Sequence, residues 1–302
     1  MYTLGQSDLH LQRPIAFGCM SLKTQEPADE RLLRYAADQG IQLFDTADLY
    51  QQGANEILVG KALAPIRKDI VLSTKIGNKW RSDGSGWDWN PHKDYLISAV
   101  EKSLKRLKTD YIDLCFLHGG TIDDPIDEII ETFDMLIEQG KIRHYGLSSI
   151  RPNVIRPFIE KSRIVALMTP YSLLDRRADE QIWNWLNKAN VSAICRGVTA
   201  QGKLLNKKEE TYLDYDAVQV KQIREALFQI AHQYNVTPLG LLIHFSRSPE
   251  PVQLATIGIR NMSQLQEAIH AMQEVIEIKT LPASLLELLH DQYFDAHRIS
   301  SN

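Results

Sequence analysis

Short runs of apolar and β-branched residues alternate along the chain with longer stretches whose apolar residues recur every three or four positions. The short runs predict strands at IAFGC (15–19), IQLFD (41–45), IVLSTK (70–75) and YIDLCFLH (111–118). Four more are predicted at IRHYGLS (142–148), IVALM (164–168), SAICR (192–196) and VQLATI (252–257). Apolar runs of this length bounded by turn residues read as buried parallel strands. Amphipathic stretches lie between them. In PADERLLRYAADQG, Leu32, Leu33, Ala36 and Ala37 share one helical face, and Gly40 offers a left-handed C-cap. HKDYLISAVEKSLKRL and IDEIIETFDMLIEQG also pair an apolar stripe with a charged one, the second ending at Gly140. Eight strands with intervening helices predict an α/β fold, a (β/α)8 TIM barrel, as a single domain over residues 1–302. TLGQSDLHLQ predicts an N-terminal β-hairpin before the first strand, and PASLLELLHDQYFDAHR an extra C-terminal helix.

Composition narrows the class. With 44% hydrophobic and 24% charged residues, the 302-residue chain can bury a large core. A formal charge of −4 offers nothing that draws nucleic acid or an anionic membrane. The N-terminus lacks the basic start and apolar run of a signal peptide, and no stretch approaches the length of a membrane span. Cys19, Cys115 and Cys195 fall in predicted strands without CxxC spacing, which reads as buried apolar packing in a reducing compartment. A cytoplasmic protein is expected. The nine histidines form no HExxH or comparable spacing, so no metal is expected.

Two predicted connections are longer than a barrel needs, at 76–91 and 197–216. The first holds Trp80, Trp87 and Trp89 among Gly, Ser, Asp and Asn. Long loops on the C-terminal face of a barrel are where binding concentrates, so these tryptophans are candidate substrate contacts. Packing onto the barrel rim is the plainer alternative.

The candidate chemistry sits at strand ends. Asp45, Lys75 and His118 end the second, third and fourth predicted strands, and Tyr50 follows Asp45 by five residues. Side chains at the C-terminal ends of barrel strands converge on one mouth. A free phenol titrates near 10, too high for ready proton exchange at neutral pH, and a neighbouring ammonium lowers that value. Lys75 held by Asp45 would therefore make Tyr50 a general acid or base, with His118 placed to hydrogen-bond a carbonyl. Singly, each residue has a structural explanation: a cap, an ion pair, a rim aromatic, a satisfied histidine. Their joint placement on successive strands is what structural roles do not predict.

At these residues the chain resembles the aldo-keto reductase superfamily, NAD(P)H-dependent reductases on a (β/α)8 barrel. FDTADLYQQGANEILVGKAL resembles the family's FDTAxxYGxxExxLGxAL, LSTK its TK segment, DLCFLH its DLxxxH, and GKIRHYGLSS its GKIRxxGxSN. The resemblance runs from the hairpin through NMSQLQEAI, and is strongest to bacterial general oxidoreductases. It implies hydride transfer from NADPH to an aldehyde or ketone carbonyl. Tyr50 would give the proton, Lys75 and Asp45 would tune it, and His118 would orient the carbonyl.

No GxGxxG follows a strand, so a dinucleotide must be held otherwise. RGVTAQGKLL carries small residues that allow close backbone approach, and Arg260 precedes a predicted helix start. The resemblance implies cofactor contacts at Met20, Asp45, Ser148, Met168, Arg196, Gly197, Val198, Ala200, Gly202 and Leu204. It adds Gly258, Arg260, Gln264 and Glu267 around the 2′-phosphate and adenosine, which favours NADPH over NADH. Ser149 and Met168 replace the family's Asn and Gln, and Arg196 replaces a stacking Tyr. Gly119 and Gly120 stand where relatives carry bulkier residues, which implies a wider pocket beside His118.

A small-molecule carbonyl substrate is the expected partner. Oligomeric state is left open, a monomer being slightly the better fit. Two alternatives stand: a cofactor-binding regulatory subunit resembling potassium-channel β subunits, and an NAD-dependent aldose dehydrogenase.

Overall fold

The computed structural model describes residues 1–23, 27–278, 281–294 and 297. Eight parallel strands close a barrel in chain order. They are β1 (Ile15–Gly18), β2 (Leu43–Asp45), β3 (Val71–Ile76), β4 (Ile112–His118), β5 (Ile142–Ser148), β6 (Ala166–Pro170), β7 (Ser192–Arg196) and β8 (Val252–Gly258). β8 returns to pair with β1, Gly258 opposite Gly18. Each predicted strand is present, with ends shifted by two residues at most.

Alternation along the strands divides the core into two layers. Ala16, Leu43, Leu114, Phe116, Ala166, Met168, Ile194 and Leu254 cluster inside the barrel, with Leu4, Leu9 and Leu11 plugging its N-terminal end. Their neighbours Ile15, Phe17, Phe44, Leu72, Cys115, Leu117, Leu167 and Cys195 pack outward against the helices. The same alternation turns Asp45, Lys75, His118, Ser148 and Arg196 inward at the strand ends. All three cysteines are free and buried.

The helices are α1 (Pro27–Asp38), α2 (Ala54–Leu63), α3 (Lys93–Leu107), α4 (Ile126–Glu138), α5 (Pro152–Lys161) and α6 (Ile182–Ala189). α7 (Ala217–Gln233) and α8 (Pro238–Ser246) both lie between β7 and β8, and α9 (Met262–Ala271) follows β8. The predicted N-terminal hairpin pairs Tyr2–Thr3 with His10–Leu11. Among the described residues no helix is long and apolar enough to cross a membrane, and no cluster could hold a metal.

Two expectations change. The stretch from Pro282 forms only one helical turn, α10 (Ala283–Leu286), while residues 295, 296 and 298 lie outside the described set. Beyond that turn the chain bonds to the mouth loops. Gln292 accepts from the Arg176 amide at 2.7 Å and donates to Leu174 O at 3.2 Å, so tertiary partners replace helical ones. The supposed loop 76–91 is an antiparallel hairpin, Asn78–Trp80 against Trp87–Trp89. Its Trp80 and Trp87 rings meet edge to face at 5.5 Å, a cross-strand pair of the kind that stabilises sheets.

Candidate active site

β2 and β3 pair Asp45 directly opposite Ser73, and Lys75 lies two residues further along the same inward face. Ser73 Oγ donates to Asp45 Oδ1 at 2.8 Å, and Lys75 Nζ donates to Asp45 Oδ2 at 2.6 Å. The ammonium also donates to Thr46 O at 2.7 Å and reaches Tyr50 Oη at 3.4 Å. Three oxygens thus face the three protons of one ammonium, which fixes its position. Lys75 is only 1% exposed. Burial works against its charge, but Asp45 and Tyr50, by attraction and hydrogen bonding, outweigh that and hold its pKa above the ordinary value.

Tyr50 is brought back over the mouth by a tight turn. Its amide donates to Ala47 O at 3.1 Å, and Gln51, Gln52 and Gly53 follow with φ of 44°, 56° and 87°. Two non-glycine residues in the left-handed region mark a turn imposed by its surroundings. Those surroundings include Thr46 Oγ1 on Asn55 Oδ1 at 2.7 Å and Asn55 Nδ2 on Cys19 O at 2.8 Å.

His118 meets Tyr50 edge to face, ring centres 6.3 Å apart. Burial first, then the Lys75 and Arg196 charges, hold its pKa down to about 3. The imidazole is therefore neutral at physiological pH, and its buried Nδ1 has no partner. Asn78 Nδ2 donates to the His118 carbonyl at 2.9 Å, and Tyr95 Oη donates to Asn78 O at 2.9 Å. The hairpin thus clamps the backbone of His118.

The tryptophans divide. Trp80 Nε1 donates to Leu49 O at 3.1 Å and Trp89 Nε1 to Asp124 Oδ1 at 2.8 Å, whereas Trp87 is half exposed. Trp89 and Val154 also correct the expected widening at Gly119 and Gly120. A Cβ on Gly119 would lie 3.4 Å from the Trp89 ring, and one on Gly77 only 2.6 Å. The indole fills the room at Gly119 and Gly77, and Val154 Cγ1, 2.6 Å from a Cβ on Gly120, fills the room there. φ is +132° at Gly119 and +116° at Gly120, which glycine alone adopts readily.

The residues considered for a dinucleotide follow the neighbouring strands β7, β8 and β1. Arg196, Met20, Gly258, Arg260 and Glu267 are exposed, and Gly197, Gly202 and Gln264 half-buried. A Cβ on Gly258 would meet nothing nearer than Ser21 Oγ at 3.9 Å, so backbone there is open to a close approach. This track fits a dinucleotide. Met168, Val198, Ala200 and Leu204 have side chains in the core, so any contact they make runs through backbone. Core packing won at these four because strand and turn geometry aim them inward. Ser148 pairs with His118 across β4 and β5, while Ser149 Oγ accepts from the Arg151 amide at 3.2 Å. The α9 N-terminus is closed by its own residues, Asn261 Oδ1 taking the Gln264 amide and Gln264 Oε1 the Arg260 amide.

Sequence reasoning missed Ser73, Asn55 and Asn78. Ser73 was findable, since it shares strand parity with Lys75. Asn55 and Asn78 carry no local signal, because each donates to a backbone carbonyl distant in sequence, Cys19 O and His118 O.

The model of the Aldo/keto reductase family matches residues 14–283. The chain is 43% identical over 277 residues to the uncharacterized oxidoreductase YqkF of Bacillus subtilis, covering 89% of each. It is 28% identical over 283 residues to the aldo-keto reductase yakc [NADP(+)] of Schizosaccharomyces pombe, covering 86% of this chain and 83% of the relative. The solved holo form of aldo-keto reductase AKR11C1 from Bacillus halodurans superposes with a TM-score of 0.90 at 40% identity, covering 98% of each chain.

Proposed function

The chain belongs to the aldo/keto reductase family, and we propose that it reduces aldehyde or ketone carbonyls to alcohols with NADPH, Tyr50 supplying the proton. The observation that carries this reading is the ammonium of Lys75, which touches Asp45, Thr46 and Tyr50 at once. As Tyr50 gives up its proton, the negative charge on Oη forms beside a buried cation that needs no rearrangement to receive it. Asp45 keeps that cation in place, and Ser73 keeps Asp45 in place. Neutral His118 donates a hydrogen bond to the carbonyl oxygen and fixes its distance to Tyr50. The nicotinamide, when bound, supplies the hydride.

Arg260 supports the choice of NADPH, as an exposed guanidinium beside the open backbone at Gly258. The NADP(+) in the name of the S. pombe relative points the same way. Among the tryptophans, half-exposed Trp87 makes the substrate contact, with Trp80 and Trp89 holding the hairpin that presents it.

The test is NADPH oxidation against a panel of aromatic and aliphatic aldehydes, for the protein and its Tyr50→Phe variant. Loss of a general acid is expected to lower kcat by about 10²–10⁴-fold, with NADPH binding retained. Turnover surviving in Tyr50→Phe would remove the proton from Tyr50. Binding of NADPH without turnover on any carbonyl would reject the reductase reading.

A further inference from the structure

A second cleft, of about 560 Å³, lies between the segment carrying Tyr50, the tryptophan hairpin and α3. That volume is in the range of small-molecule sites, roughly 300–1,000 Å³. None of Asp45, Tyr50, Lys75 and His118 lines it. Asp48 does, at 8% exposure, and its buried Oδ1 has no hydrogen-bond partner. An unpartnered polar atom at such depth calls for an explanation, because leaving one unsatisfied is unfavourable. The reductase chemistry supplies none, for the hydrogen bond Asp48 makes to that site is from its backbone, its amide donating to Lys75 O at 3.1 Å.

We propose that this cleft is a second binding site for a small neutral polyhydroxylated molecule, its vicinal hydroxyls on Asp48 and its carbon face on Trp80. The chemistry of the walls selects that class. Arg106 is committed to buried Glu56, 2.6 Å away, and the remaining charges of Lys79 and Lys102 stand against Asp94 and Asp48. Neither a cation nor an anion is strongly favoured by this near balance. Burial, then Glu56, push the Asp48 carboxyl well up, against Arg106, the Leu49 amide and Lys75. The unpartnered Oδ1 of Asp48 accepts hydrogen bonds, which vicinal hydroxyls donate. Trp80 and Tyr95 have their polar atoms bonded to Leu49 O and Asn78 O, which leaves their rings as apolar walls.

D-sorbitol titrated into the cofactor-free protein, isotope-labelled at tryptophan, tests this through the Trp80 indole resonance, assigned with Trp80→Phe. A saturable shift in the millimolar range is expected. Ser98→Phe, which fills the cleft from α3, should abolish it, and Asp48→Ala should weaken it about tenfold. A linear drift without saturation, or saturation unchanged in Ser98→Phe, would overturn the site. Saturation by sodium phosphate but not by sorbitol would overturn the ligand class and make this an anion site. The titration uses neither carbonyl nor NADPH, so its failure and that of the reductase reading are separable.

Discussion

At the floor of the barrel, buried Asp113 accepts from the Leu72 amide at 2.9 Å and pairs with Arg67 at 2.7 Å and Arg143 at 3.0 Å. At the mouth, Asp45 and Lys75 are as deeply buried, yet Tyr50 sits at a loose 3.4 Å, and His118 Nδ1 and Asp48 Oδ1 have no partner. One end is saturated and the other is not. Arg143 also reaches Asp8 at 2.6 Å, and His144 reaches it at 2.7 Å, which ties the N-terminal hairpin to the floor. The difference shows where this fold places its unsatisfied capacity. Hydrogen bonds completed within the protein hold the barrel shut, and those left open are available to a ligand.

Breaking the floor should have the largest effect on stability. Asp113→Ala strands Arg67, whose side chain is 10% exposed, and leaves the Leu72 amide without an acceptor. A loss of about 3–5 kcal/mol is expected from urea unfolding, with KM for a carbonyl substrate unchanged in the protein that remains folded. At the mouth, Ser73→Ala removes one hydrogen bond to a buried carboxylate. It should lower stability by about 1.5–3 kcal/mol and, unlike the floor variant, also lower kcat, because Asp45 positions Lys75. Equal kcat in both variants would erase the distinction between the ends.

The most gradual effect is a pH slope. His118 has a folded pKa of about 3 against an ordinary 6.5, so it is neutral in the fold and protonated in the unfolded chain between those values. The unfolded state binds the extra proton there. Stability is therefore fully present above pH 6.5 and is lost as pH falls toward about 3, at no more than about 1.4 kcal/mol per pH unit. Unfolding curves across this range, compared with His118→Gln, should show a shallower decline in the variant. Parallel curves would mean that the imidazole is hydrated in the fold.

How much of this was legible depended on whether a feature was local. Asp45, Lys75 and His118 were readable because a strand has period two and the barrel mouth lies at strand ends. Tyr50 was readable as a residue of the following loop, and the family resemblance gave it a role. The tryptophan hairpin was not read, because Arg81–Gly86 looks like loop while the strand evidence is confined to three residues on either side. The C-terminal helix was overextended for the opposite reason. LLELL has a local helical pattern, but the bonds made by Gln292 to Arg176 and Leu174 come from the mouth loops, more than 100 positions earlier.

Strand order, the inward face of each strand and the residues at the mouth were determined by the chain's own alternation, since apolar burial enforces one register. Tertiary structure alone decided that Lys75 meets three oxygens, that Asn78 grips the His118 carbonyl, that Trp89 fills the space at Gly119, and that Asp48 Oδ1 is left without a partner. Those outcomes depend on distances between segments that share no local pattern, and such distances exist only once the barrel has closed.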